Sequence, residues 1–360
     1  MSTHTGIATT SKGVVQIIEV DTQKPPFGHV LVKVSHTAII PLDTYMSDHG
    51  RVLTESDYPM VLGFNVSGVI AEVGSGVEDL AVGDRIAAMG VRSASKGLQE
   101  YAILSRDSCA KIPDNLTLEE AATIPDNFIT AFYTLFDGLG LPIPTFPISA
   151  PPPRADTPIL IYGAGATSGH YCIQLLSLAG YKNIIATAST KHHPLLRSLG
   201  AQHVVDYRDA DLSDKILFAA GGKVTLAVDC ISARGTLGRL AKVMSADSSV
   251  ALLLPVKEGD SVAASESGQM WMEVPADWNP FAPTVKLIGV RTLLYQENEY
   301  MRDNLMQKIL PYLLREKIIE PNRVRLFEHG TLKERADAAL ELVRSGQVSG
   351  EKPVVKVQDV

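Results

Sequence analysis

Only three cysteines occur in 360 residues; Cys109, Cys172 and Cys230 stand far apart and in no paired spacing. That excludes a disulfide framework and a four-cysteine zinc lobe, and points to a reducing, cytoplasmic compartment. An excess of basic charge is lacking too: 33 Lys and Arg face 40 Asp and Glu, a net charge of −7. Phosphate-rich partners need a basic face, so neither nucleic acid nor an acidic membrane surface is expected as a partner. No apolar run approaches a membrane span; the apolar pieces are strand-sized and broken by Gly or charge. The stretch Met1 to Lys12 is polar and holds no apolar signal core. There is no internal repeat.

What is present is an ordinary globular balance, 45% apolar and 20% charged, in a chain long enough for two domains. The first third reads as β-rich. Val14–Val20, His29–Ala38, Val66–Val73 and Ile86–Met89 are strand candidates separated by Gly and Pro turns, which suggests a compact, barrel-like β domain. Leu118–Ala122 and Ile129–Leu135 carry helical spacing. Pro142 to Pro158 holds seven of the 21 prolines and reads as an irregular surface loop, with a partner-docking segment as the alternative. Beyond it strands and helices alternate. The strands are Ile159–Tyr162, Ile184–Ala188, Val204–Asp206, Leu226–Cys230, Ser249–Leu254 and Val285–Val290. The helices between them are His170–Leu178, Leu195–Leu199, Asp214–Ala220 and Leu237–Met244. Such alternation predicts a doubly wound parallel sheet, an α/β fold of Rossmann type. Two amphipathic helices, Leu305–Lys317 and Leu332–Ser345, and a strand, Lys352–Val357, follow.

The sharpest local signal is the strand ending at Tyr162 followed by Gly163, Ala164, Gly165, Ala166, Thr167, Ser168 and Gly169. A turn of tiny residues between a buried strand and a helix lets backbone N–H groups approach a pyrophosphate at the positive end of the helix. The third glycine falls one residue later than the dinucleotide fingerprint places it, at Gly169 rather than at Ser168. The next strand ends in Ser189, Thr190, Lys191 and His192 with no acidic residue. Hydroxyls and a lysine suit a ribose 2′-phosphate, so NADPH is the expected cofactor.

The stretches Val82-Gly83-Asp84-Arg85 and Gly97-Leu98-Gln99-Glu100-Tyr101 resemble the hallmark pair of the medium-chain dehydrogenase/reductase superfamily. Tyr58-Pro59 with Gly63 and Gly68, and Glu120 to Pro125, resemble other stretches of it. The Pro-rich insert, the Asp206-Tyr207-Arg208 and Asp229-Cys230-Ile231 runs and the ending Ser349-Gly350-Glu351-Lys352 are similar to the fungal trans-acting enoyl reductases that serve polyketide synthases. The resemblance implies a split, GroES-like β domain, residues 1–125 and 305–360, around a Rossmann-type NADPH domain, residues 126–304. It implies cofactor contacts at Asp43, Thr44, Gly163, Gly165, Ala166, Thr167, Ser168, Gly169, Ser189, Thr190, Lys191, His192, Tyr207, Leu254, Val348 and Ser349. It places the substrate pocket between the domains, along Ile129, Thr130, Ala131, Phe132, Tyr133 and Thr134, and it leaves open a monomer or a homodimer.

Zinc dehydrogenases of this superfamily place a Cys ligand within the segment corresponding to Ile40–Asp43 and a histidine where this chain has Phe64. Catalytic zinc is therefore not expected. Hydride addition to a conjugated alkene needs no Lewis acid, because the acceptor delocalises the new charge into an enolate that hydrogen bonds can stabilise. Tyr45 is the candidate donor to that enolate, and Thr130 stands where relatives have a pocket threonine. Some trans-acting relatives carry Ser and Lys where this chain has Leu42 and Tyr45, and often Asp at Asn65. Three readings follow: an enoyl reductase acting with a polyketide synthase, a freestanding quinone or enone reductase, and a catalytically silent NADPH-binding protein.

Overall fold

The computed structural model describes residues 2–147, 150–263 and 269–360, so residues 148–149 of the Pro-rich stretch lie outside the described residues. Two compact units emerge, Met1–Asp126 with Leu293–Val360, and Asn127–Thr292. Among the described residues no helix is long and apolar enough to cross a membrane.

The first unit opens with β1 (Thr3–Ser11), β2 (Val14–Asp21) and β3 (His29–Ala38), followed by helix α1 (Pro41–His49) and β4 (Met60–Val61). Strands β5 (Asn65–Val73), β6 (Arg85–Met89), β7 (Tyr101–Ser105) and β8 (Cys109–Lys111) and the short helix α2 (Leu118–Ala121) complete its first part. The polar stretch Thr3–Ser11 forms a strand that sequence pattern does not announce. Ile7 and Ala8 are buried there, while β2 covers one flank and β4 the other. Alternate residues of β3, Val30, Val32 and Val34, meet Val66, Ile70, Ile86 and Leu104 in one apolar core. That period of two is the physical reason these segments are half-buried strands.

The second unit begins within α3 (Pro125–Phe132), which continues as a π-helical turn, Tyr133–Gly138. The helix thus starts four residues before the Ile129–Leu135 expectation, because Pro125 is well placed in a first turn, where no N–H is needed. Then come β9 (Ile159–Tyr162), α4 (Thr167–Leu178), β10 (Ile184–Thr187), α5 (His193–Ser198), β11 (His203–Val205), α6 (Leu212–Ala220) and β12 (Val224–Asp229). After these stand α7 (Arg234–Val243), β13 (Met244–Leu253), the short pair β14 (Val256–Lys257) and β15 (Met270–Trp271), and β16 (Lys286–Val290). Six of the strands form one sheet in the order β11-β10-β9-β12-β13-β16, parallel throughout. The strand order turns back at β9, which pairs with both β10 and β12. In such sheets ligands bind at the carboxyl ends of the strands at this switch point.

The chain returns to the first unit through α8 (Glu299–Asn304), α9 (Leu310–Arg315), β17 (Arg323–Phe327), α10 (Leu332–Arg344) and β18 (Glu351–Lys356). The Leu305–Lys317 expectation holds only in part: residues Leu305–Ile309 form a π-turn, and the α-helix proper starts at Leu310. Pro311 explains the break, since it lacks the N–H that a continuous helix would need there. Strand β18 lies between β17 and β3 in a seven-stranded sheet, so the returning chain completes the sheet that β3 begins. Helix α10 packs Ala336, Ala339, Leu340 and Val343 onto Ile7, Leu62 and Val355.

A buried ion pair locks this closure. Lys352 Nζ reaches both oxygens of Asp126 at 2.8 and 2.7 Å, and the Asp126 N–H donates to Asn65 Oδ1 at 3.0 Å. Removing one partner of such a pair strands the other charge without compensation. Lys352→Met is therefore expected to destabilise the fold by about 3 kcal/mol. The check is a lower urea midpoint at unchanged slope.

Candidate active site

In the second unit the turn after β9 is held by β10. The Gly163 N–H donates to Thr187 Oγ1 at 2.9 Å and the Ala164 N–H to the Thr187 carbonyl at 2.8 Å. Gly163 sits at φ 72°, and a Cβ there would lie 2.4 Å from Ile231 Cγ1. At Gly169 a Cβ would lie 2.6 Å from the Ala164 Cα, so α4 can seat against the turn only with glycine at that position. The glycine that sequence spacing places one residue late thus performs the close-packing role of the fingerprint's third glycine. Helix α4 starts at Thr167 with Ala166 as its N-cap, and no side chain caps it. Its first N–H groups carry the positive end of the helix dipole.

The Ser189–His192 turn follows β10. His192 is buried and packs against Gly165, where an added Cβ would lie 3.0 Å from the ring's Cδ2. Thr190 and Lys191 are exposed, as are Tyr207 and Arg208 across the turn. Between them lies Asp206. Its Oδ2 accepts the Thr190 N–H at 3.2 Å, and the Arg208 side chain and backbone N–H bind the same carboxylate at 2.5 to 3.0 Å. Those hydrogen bonds from Arg208 hold the Asp206 carboxyl well below the usual carboxylate range. Arg208 also lies over the Tyr207 ring, 5.7 Å from its centroid. A cavity of about 560 Å³ adjoins this turn and is lined by Thr190, His193, Arg197, Asp206 and Phe218 among others.

Leu254, just past β13, lines a second cavity of about 410 Å³ with Leu252, Met272, Leu287, Gly289 and Arg291. On α3, Ile129, Ala131 and Phe132 are buried, as is Thr134 in the π-turn; Phe132 packs between Phe128 and Phe136. Thr130 and Tyr133 are only half-buried. Thr130 shares a hydrogen bond of 2.8 Å with Thr292 Oγ1, and its carbonyl accepts from Thr134 Oγ1 at 2.6 Å.

In the first unit Asp43, Thr44 and Tyr45 lie in α1, and all three are buried. Asp43 accepts the Ile40 N–H at 3.0 Å through one oxygen and the Gly63 N–H at 2.7 Å through the other. It therefore ties the start of α1 to the Gly63–Asn65 segment. Burial pushes its carboxyl up from the usual range, against the pull of the Lys96 charge. Thr44 Oγ1 donates to the Pro41 carbonyl at 2.8 Å. Burial drives the Tyr45 hydroxyl far above its ordinary value, so it stays protonated and able to donate at any working pH. Val348 and Ser349 sit, half-buried, on the turn between α10 and β18.

Among the described residues no group of three His, Cys, Asp or Glu side chains could hold a metal ion. Phe64, where zinc relatives carry a histidine, offers no donor atom. Lys96 is the residue that sequence reasoning missed: it is fully buried beside Phe64 and Asp43. Lysine is so often exposed that nothing in the sequence marks this one. Gly169→Ala is expected to lift α4 off the turn. Weaker binding of the dinucleotide, by tenfold or more at about 1.4 kcal/mol per factor of ten, should accompany a lower melting temperature. Fluorescence titration and a thermal scan measure the two effects.

Residues 26–114 match the alcohol dehydrogenase GroES-like domain, and residues 169–258 match the zinc-binding dehydrogenase family. The chain is 37% identical over 221 residues to the dehydrogenase pigH of Monascus ruber, a match that covers 59% of each protein. It is 30% identical over 348 residues to lovC of Aspergillus terreus, the enoyl reductase component of lovastatin nonaketide synthase, covering 92% of this chain and 90% of that one. The crystal structure of CurK enoyl reductase superimposes with a TM-score of 0.76 at 19% identity, over 98% of this chain and 99% of that one, which speaks for the fold alone. The chain belongs to the medium-chain dehydrogenase/reductase superfamily, in the zinc-free branch that holds the trans-acting enoyl reductases of fungal polyketide synthases.

Proposed function

We propose that this chain is an NADPH-dependent enoyl reductase that saturates the α,β-double bond of a thioester carried by a separate polyketide synthase, in the cytoplasm. The observation that carries the reading is the match to the lovC enoyl reductase along almost the whole of both chains. The residues present fit a dinucleotide. Positions 163 and 169 are closed to any Cβ, and α4 begins without a side-chain cap. The turn would hold the pyrophosphate. Ser189, Thr190, Lys191 and Tyr207 would take the 2′-phosphate, with Arg208 spanning Asp206 and the Tyr207 ring.

The nicotinamide, when bound, supplies a hydride to the substrate's β-carbon. The protein's own part is then electrostatic. Negative charge develops on the thioester oxygen as the enolate forms, and a hydrogen bond aimed at that oxygen lowers the barrier. Tyr45 suits this role because its hydroxyl keeps its proton. The reaction closes when a proton reaches the α-carbon. Thr130, on the half-buried face of α3, is the second candidate to orient the substrate.

Leu42 and Tyr45, which replace Ser and Lys of some trans-acting relatives, support a second reading, a freestanding reductase of small quinones or enones. The test is NADPH oxidation with an unsaturated pantetheine thioester in one cuvette and a small quinone in the other. Turnover of the thioester alone is expected; turnover of the quinone alone would overturn the polyketide assignment, and tight NADPH binding with neither would mark a silent protein. Lys191→Ala is expected to raise KM for NADPH about tenfold, equivalent to ~1.4 kcal/mol, while leaving KM for NADH unchanged. Steady-state kinetics with both cofactors check that.

A further inference from the structure

Lys96 stands at the entrance to the Gly97–Tyr101 stretch with its side chain fully buried. Its Nζ lies 2.9 Å from the centroid of the Phe64 ring and has no hydrogen-bond acceptor among the described residues. A ring face offsets only part of the hydration that a buried ammonium gives up. Buried polar groups in native interiors are nearly always satisfied, so this one calls for an explanation. The charge that faces it is Asp43. Burial pushes the Lys96 amine down, to about 7, and the Asp43 carboxylate opposes that shift. Burial pushes Asp43 up, and the Lys96 charge opposes that in turn. The other charges near the pair are Lys352 on β18, which acts on Asp43 while bound to Asp126, and His4 on β1, which reaches the Lys96 segment through Gln99.

We infer that Lys96 is a positioning residue for the reaction: its ammonium balances the Asp43 carboxylate that seats α1, and so holds Thr44 and Tyr45 in place. The inference rests on the reading of α1 as part of the active site. Its geometry is local. Asp43 clamps two backbone N–H groups from opposite sides, Ile40 at the head of α1 and Gly63 beside Phe64. Lys96 covers the ring of that same Phe64, and its charge joins the two N–H donors in favouring the Asp43 carboxylate against the burial that opposes it.

The pH consequence has a definite sign. At low pH within the working range the amine carries its proton and the pair is balanced. As pH rises through the Lys96 midpoint, the pair loses that proton and a lone buried carboxylate remains, which a protein interior tolerates poorly. The seat of α1 loosens, and kcat/KM falls on the alkaline side of about pH 7.

Two measurements on the full chain test this. The first needs neither substrate nor variant. In protein labelled with 13C at the lysine ε-carbon, the ring current of Phe64 marks Lys96 by an upfield shift and separates it from Lys257, the other buried amine pushed down, to about 8. That signal is expected to titrate near neutrality, and the Gly63 amide resonance to follow it, because Gly63 reports the charge on Asp43. A marked lysine that stays charged beyond about pH 9, near its ordinary range, overturns the inference, as does a Gly63 amide that ignores its titration. The second measurement is the pH profile of kcat/KM on whichever acceptor the enzyme reduces. Lys96→Arg keeps the cation at every working pH and is expected to remove the alkaline fall from the working range. Lys96→Met should lower kcat/KM about tenfold, and adding Asp43→Asn should cost little more, because the two act as one unit. An alkaline midpoint unchanged in Lys96→Arg contradicts the proposal. If no acceptor is reduced at all, the functional reading fails, and the titration of the marked lysine still decides whether Lys96 controls Asp43.

Discussion

Helix α4 touches the turn after β9 at a distance only glycine permits. The 2.6 Å that would separate a Cβ at Gly169 from the Ala164 Cα leaves no room for any other residue, and no flexible side-chain end is there to yield. Everything the second unit offers a nucleotide depends on that approach. It aims the open N-terminus of α4 at the carboxyl end of β9, beside the switch point of the sheet. Thr187 fixes the turn from the neighbouring strand, and the next residues of that chain segment, Ser189 to His192, swing alongside Gly165. One steric constraint thus brings the Gly163–Gly169 turn and the Ser189–His192 turn together.

The first unit solves a different problem, that of burying charge. Asp43, Lys96, Asp126 and Lys352 are all buried, and each is balanced by another of the four. The pairs differ in kind. Lys352 and Asp126 meet in direct contact with Asn65 assisting, an arrangement that fixes the closing strand of the sheet. Lys96 and Asp43 attract each other without a direct hydrogen bond, each also engaged elsewhere, with a ring or with backbone N–H groups. A direct pair is rigid and insensitive to modest change. A separated pair keeps its balance only while both groups hold their charge, and that is the condition on which the proposed role of Lys96 rests.

Much of this was legible in the sequence where a local period or a steric rule writes it. The six parallel strands each appear as a short apolar run between turn residues, and the glycines of the phosphate turn appear by type. The displaced glycine was legible as an anomaly, and its role emerges only from the contact with Ala164. Strand β1 was hidden, because Thr3–Ser11 buries the polar His4 and Thr9 along with Ile7 and Ala8, so no apolar alternation marks it. The break before α9 follows from Pro311, though periodicity alone runs through it. Lys96 was invisible for the opposite reason. A lysine is buried by its surroundings, and its surroundings come from α1 and from the Phe64 segment, more than thirty residues away. The stretch Ile129–Thr134 divides by helical geometry, with Thr130 and Tyr133 toward the half-buried side and the rest in the core.

The absence of an acid at the end of β10 is what the sequence offers in favour of a 2′-phosphate, yet the structure brings an acid to that turn from another strand. Asp206 follows β11 and accepts the Thr190 N–H. Left as a free carboxylate it would repel a phosphate as effectively as an acid on β10 would. It is not free. Arg208 binds it through both side chain and backbone, and the pair is neutral at any working pH. What the turn then presents to solvent is hydroxyl, ammonium and the guanidinium over Tyr207, with the carboxylate turned inward as the brace for Thr190. On the proposed reading, the charge balance that would favour NADPH is a property of the Asp206–Arg208 pair as much as of Lys191. A chain with the same Ser189–Lys191 turn but without Arg208 would carry the signature of NADPH binding in its sequence and a carboxylate working against it in its fold.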